Sequence, residues 1–144
     1  MEPFEEEIKR FPLLTETQAA KYLGGAASTN PSAFLLKAKQ EKQLFVFYFD
    51  DPDVALIPEF QFNPSTHTVY PSVPRLCQLL AGLNDYGVYI WLINHDEDLG
   101  ASPAEVLGTT ENEQLQDDLF YLAGLFKSES TLQQLNFIAE DRLL

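Results

Sequence analysis

The sequence predicts a mainly α-helical fold with a small β element, and three observations carry that expectation. Three Ser/Thr-x-x-Glu/Gln sets (Thr15 with Gln18, Ser102 with Glu105, Thr110 with Glu113) each stand before a run of helical character. In such a capping box the first hydroxyl accepts from a free amide of the first turn, and the fourth side chain reaches back. Pro31 and Pro103 each follow a capping residue at the first helical position, where a missing N–H costs nothing. Between residues 44 and 70 short aromatic runs bounded by turn-forming residues predict strands, and from residue 71 onward the signals are helical.

In chain order, Thr15 opens a short helix, TQAAKYL, which Gly24-Gly25 stops. A second helix starts after Asn30, with Phe34, Leu35 and Ala38 as its apolar face and Leu44 continuing it. The two helices make a helix-turn-helix outline, although GGAASTN exceeds the usual turn. LFVFYF (44–49) predicts a buried strand that Asp50-Asp51-Pro52-Asp53 breaks. IPEFQF (57–62) and THTVY (66–70) flank Asn63-Pro64-Ser65 and predict a hairpin. Ser72 with Pro74 starts a helix through Leu83, and Asn84-Asp85 starts the next, YGVYIWLINH. After the helix begun at Ser102, Thr110 opens a longer one in which Leu115, Leu119, Leu122 and Phe126 share a face. A separate last helix is expected from Ser130, with Leu132, Leu135 and Ile138 on one side. Two units follow: a helix-turn-helix-like region over 1–50 and a compact helical domain over 51–144.

Composition narrows the function classes. The chain has 144 residues, 45% of them apolar, enough for one well-filled core. No apolar run is long enough to span a bilayer, and MEPFEEEIKR is acidic where a secretory signal is basic, so a soluble cytoplasmic protein with no membrane partner is expected. Lone Cys77 sits in an apolar helical pattern and is expected in the core. The net charge of −13 is unevenly spread. Residues 1–42 balance Lys9, Arg10, Lys21, Lys37, Lys39 and Lys42 against six glutamates, whereas residues 43–144 set Arg75, Lys127 and Arg142 against sixteen carboxylates. Nucleic acid would be repelled by the last two-thirds, and a basic partner attracted.

Catalytic chemistry finds no foothold. His67 and His95 lie near turns without cysteine partners, and no phosphate loop, nucleophile elbow or His/Cys cluster occurs, so neither an enzyme nor a cofactor is expected. One stretch imitates a calcium loop: Asn94, Asp96, Asp98, Ser102 and Glu105 fall at positions 1, 3, 5, 9 and 12 of an EF-hand count. Position 6, which needs glycine, is Leu99; Gly100 comes one residue late. Glu105 belongs to a capping box, and Pro103 starts a helix inside the would-be loop. A polar connector is expected, with no metal. The other polar candidate is the second helix, where Asn30, Ser32, Lys37, Lys39 and Lys42 offer donors of the kind a groove-reading helix uses, against a solvated helix face as the plain alternative.

The order IPEFQF, PSVPRLCQLL, WLINHDEDLGASPAEVL and then an acidic helix ending in FYLAG resembles the MbcA/ParS/Xre antitoxin family and its toxin-binding domain. Pro58, Phe60, Gln61, Phe62, Trp91, Leu92, Leu99, Gly100, Pro103 and Leu107 carry the resemblance, which runs from about Ile57 to Gly124. The residues before it resemble the short helix-turn-helix found ahead of that domain. His95-Asp96-Glu97-Asp98 depart from the asparagine-bearing turn of the family pattern. The resemblance implies an antitoxin of a type II toxin-antitoxin module. It would bind a RES-domain toxin, an NAD-consuming enzyme, and block its NAD pocket with C-terminal helices. It also implies a possible homodimer and repression of its own operon. The interface residues expected on that basis are Glu113, Gln116, Asp117, Phe120, Tyr121, Lys127 and Arg142. The competing expectations are a transcriptional regulator binding operator DNA through residues 15–43, and a same-fold inhibitor or immunity protein for another partner.

Overall fold

The computed structural model describes residues 9–24 and 29–143, with side chains described through residue 132. Strand β1 (Leu13–Leu14) leads into α1 (Glu16–Leu23), and α2 spans Pro31–Gln40. Strand β2 (Ile57–Pro58), a 3-10 turn (Glu59–Gln61), β3 (Phe62–Asn63) and β4 (Thr68–Val69) follow. Four helices complete the chain: α3 (Val73–Leu79), α4 (Asp85–Ile93), α5 (Pro103–Leu107) and α6 (Glu113–Leu143). The architecture is mainly helical with small β pairings.

Local signals act where the sequence places them. The Thr15 and Ser102 capping boxes both form, and Asn30 caps α2 by accepting from the Ala33 amide. The exit of α2 is a Schellman turn: the Lys42 amide donates to Lys39 O and the Gln43 amide to Ala38 O. Its left-handed residue, usually glycine, is Lys42 with φ +57°. A side chain there costs about 1 kcal/mol relative to glycine.

Five expectations are corrected. Residues 44–49 are not a ladder strand. Leu44, Phe45, Val46 and Phe47 are buried, but only Phe47 makes a backbone bridge, to Leu56. Four other backbone groups of the segment meet side chains. Phe45 exchanges two hydrogen bonds with the fully buried Gln61 amide (2.7 and 2.8 Å), Lys39 Nζ donates to Val46 O, and the Tyr48 amide donates to Asp85 Oδ2 (2.9 Å). Buried backbone needs partners, and here helices and a 3-10 turn supply them instead of a neighbouring strand.

The hairpin is smaller than predicted. Only β3 and β4 pair (Phe62 with Val69, Asn63 with Thr68), while Ile57–Pro58 turns away to pair antiparallel with Leu13–Leu14. Helix α3 stops at Leu79 rather than reaching Leu83, its chain then turning through Gly82 at φ +89°. The predicted break at Ser130 is absent: α6 is one helix of 31 residues, about 46 Å long. Its cap is Asn112, which accepts from the Leu115 amide, not Thr110.

A single hydrophobic core runs from Phe11 and Leu14 through Leu35, Ile57, Leu76 and Leu92 to Leu119 and Ala123. It therefore crosses from the helix-turn-helix-like region into the later helices. Tyr89 on α4 ties the N-terminal segment down by donating to Phe11 O (2.9 Å). Cys77 lies in this core, where burial pushes its thiol up to about 12. At neutral pH it is a small apolar group.

Candidate functional site

Helix α6 packs its Leu119 and Ala123 side on α3 and α5. Phe126 stacks on Trp91 of α4, ring centroids 5.4 Å apart and planes 12° from parallel. With Tyr86 and Ile90, these rings line an open groove of about 430 Å³ between α4 and α6. The outward face of α6 carries large apolar side chains among its polar ones. Tyr121, Leu125 and Leu132 are 68%, 41% and 58% exposed, and their spacing of four and seven places them on one stripe. Large apolar side chains so exposed and in register mark an interaction surface more than a solvated helix does.

The residues expected at this surface divide into three groups. Glu113, Asp117 and Tyr121 are exposed on α6. Gln116 points inward: it is 9% exposed, its amide donates to Val106 O (2.8 Å) and Thr109 O (3.1 Å), and its carbonyl accepts from Ser72 Oγ. It latches α6 onto the α5 exit and the start of α3. Phe120 and Lys127 are half-buried and engaged, Phe120 under the Arg75 guanidinium (4.1 Å to the centroid) and Lys127 Nζ on Ala81 O. Arg142 lies outside the residues whose side chains are described. Leu125 and Leu132 were missed as contact residues, although Tyr121, Leu125 and Leu132 show the stripe once α6 is known to be unbroken.

Electrostatics sharpen this surface. Of the three cations in the last two-thirds of the chain, Arg75 and Lys127 are turned toward partners within the molecule. Asp117, Asp118 and Glu129 on α6, and Glu97 and Asp98 on the α4–α5 connector, form no ion pair among the described residues. The field over α6 is therefore negative.

The candidate DNA-contact set is also divided. Asn30 is occupied as the cap of α2. Lys39 is drawn inward, pairing with Asp85 Oδ2 at 3.0 Å while donating to Val46 O. Ser32, Lys37 and Lys42 are exposed.

The calcium-like stretch has other tasks. Asp96 Oδ1 accepts from the amides of Asp98 (2.8 Å) and Leu99 (3.3 Å), and Gly100 turns at φ +70°. The Glu105 carboxylate accepts from the Ser102 amide and hydroxyl and pairs with Arg10 at 3.3 Å. Those contacts, led by the Ser102 amide, hold its pKa below the ordinary 4.5. Among the described residues no group of three or more His, Cys, Asp or Glu side chains is placed to hold a metal ion. No helix among them is long and apolar enough to cross a membrane.

The ten residues that carry the antitoxin resemblance are mostly scaffold. Gln61, Leu92 and Leu107 are fully buried, Phe62 and Leu99 nearly so, and Gly100 has the positive φ its turn needs. They describe how the chain folds more than what it touches. No family model matches the chain, and neither a curated protein nor a solved structure does.

Proposed function

We propose that the protein is a binding module without catalytic activity, which holds a basic protein partner against the outward face of α6. Within that class, its role is that of an antitoxin, neutralising a RES-type NAD-consuming toxin by covering the enzyme's active-site cleft. The observation that carries the class is the exposed stripe Tyr121, Leu125 and Leu132, set among unpaired carboxylates on a long helix. An aromatic and aliphatic centre rimmed by charge is the anatomy of a protein interface. The negative field would speed encounter with a basic cleft. The particular partner rests on the resemblance over residues 57–124.

Co-expression with a RES-domain toxin tests both steps. The expected outcome is a stable complex and restored growth, both lost when Tyr121→Glu and Leu125→Glu are combined in a chain whose thermal midpoint is unchanged. A complex that ignores the double substitution would remove α6 as the interface. No complex with the unaltered chain would remove the toxin reading.

Operator binding is the second reading, favoured by the exposure of Ser32, Lys37 and Lys42, spread from the first turn of α2 to just past its end. It predicts DNA retention that falls steeply with salt and disappears when Lys37 and Lys42 become alanine. Retention that is weak and indifferent to salt would end it.

A further inference from the structure

Helices α2, α3 and α4 do not close completely on the buried segment 44–47. They leave a cavity of about 210 Å³ that opens to solvent. Its walls are apolar, with Leu44, Phe47, Leu80 and Val88 among them, and its charged lining is Lys39, Lys42 and Asp85. Pockets of this kind, apolar with a few convergent polar groups, are the usual form of a small-molecule site.

The sign of the charge here is the reverse of the rest of the molecule. Two lysines line the cavity against one carboxylate, and Lys127 reaches its edge, where Nζ meets Ala81 O and stands against Gly82. The protein has nine cations against twenty-two carboxylates, and three of the nine gather at this opening. Asp85 is already matched, accepting from Lys39 and from the Tyr48 amide. Lys39 makes two hydrogen bonds, to Val46 O and Asp85, and stands 5.2 Å from the Tyr48 ring centroid, so one of its three donors has no hydrogen-bond acceptor.

Lys42 supplies an independent sign. It holds the left-handed position of the α2 Schellman turn, where glycine fits without strain, and its side chain has no hydrogen bond or ion pair among the described residues. The turn uses the Lys42 backbone and leaves its ammonium without a partner. The geometry sets an exposed ammonium at the rim of an apolar cavity.

We propose that this cavity binds a small organic monocarboxylate, its compact apolar body between Leu80 and Val88 and its carboxylate between Lys39 and Lys42. The site is separate from the α6 surface and does not depend on the partner assigned above.

Hexanoate and 1-hexanol, titrated into the full chain and followed by methyl NMR, provide the test. Saturable shifts are expected at Leu44, Leu80 and Val88 with hexanoate, several-fold weaker with hexanol, and weakened by salt. Lys42→Gly separates ligand from fold: it relieves the left-handed strain, so thermal stability should rise while hexanoate binding falls several-fold. Cys77→Met, filling the cavity, should abolish binding of both probes. Equal affinity for hexanol, unchanged hexanoate affinity in Lys42→Gly, or shifts centred on Trp91 and Tyr121 would each overturn the proposal.

Discussion

Helices α2 and α6 carry the two polar surfaces that the sequence marks for function, and the fold treats them in opposite ways. On α2 the distinctive polar groups are turned to structural use: Asn30 caps the helix, and Lys39 reaches inward to Val46 and Asp85. On α6 the structural work is done by Leu119, Ala123 and Gln116, leaving Tyr121, Leu125 and the carboxylates outward. A lysine in a polar helix pattern and a tyrosine in an apolar one invite the opposite assignment. Burial belongs to the position and its neighbours, and long cationic stems reach partners that short spacing does not reveal.

The largest expected effect tests that contrast directly. Lys39→Met removes the charge but keeps much of the stem, leaving Val46 O without its donor and Asp85 with the Tyr48 amide alone. Loss of a partly buried charged hydrogen-bond pair should destabilise the fold by about 2 kcal/mol. Tyr121→Ala, 68% exposed, should shift stability by no more than about 0.5 kcal/mol. Urea midpoints at unchanged m give both numbers. If the two substitutions cost the same, α2 and α6 do not differ as described.

A smaller effect sharpens the comparison at the helix ends. Asn30 and Asn112 make the same kind of cap, each accepting from an amide three residues on (3.3 and 3.1 Å). Replacement of either by alanine should cost about 1 kcal/mol. For Asn30 this is the whole expected consequence, because its oxygen already serves the helix. A loss of DNA retention in Asn30→Ala with the fold unchanged would return it to the candidate contact set.

Local chemistry was the legible part of this chain. The caps at Thr15, Asn30, Asn84 and Ser102 depend on neighbours within one turn, and the sequence states them outright. What it could not show were partners distant along the chain. Gln61 is sixteen residues from Phe45, and Asp85 is forty-six from Lys39, yet these pairs decide that residues 44–49 need no strand beside them. A period-2 run of aromatics signals burial but not the source of its hydrogen bonds. The α6 surface was half legible for the same reason. Breaking the helix at Ser130 divided Tyr121 and Leu125 from Leu132 and hid the stripe, whereas the inward turn of Gln116 depends on Val106 and Thr109.

The smallest effect concerns the connector that imitates a calcium loop. The Ser102 amide and hydroxyl and Arg10 all favour the charged form of Glu105 and lower its pKa in the folded chain below 4.5. A carboxyl depressed by folding binds its proton more readily when unfolded. Its contribution is therefore fully present above pH 4.5 and is lost as pH falls through the lower folded value. Glu105 is half-exposed, and solvent screening keeps the effect to tenths of a kcal/mol. Thermal midpoints between pH 6 and pH 3 should fall slightly less steeply in Glu105→Gln than in the unaltered chain. A glutamine retains the acceptor that returns to the Ser102 amide, so the change isolates the charge from the cap. Equal slopes would mean that the capping hydrogen bonds, and not the ionised carboxylate, hold α5 to the connector. If calcium instead raised the midpoint of the unaltered chain and not of Glu105→Gln, the loop would be a metal site after all.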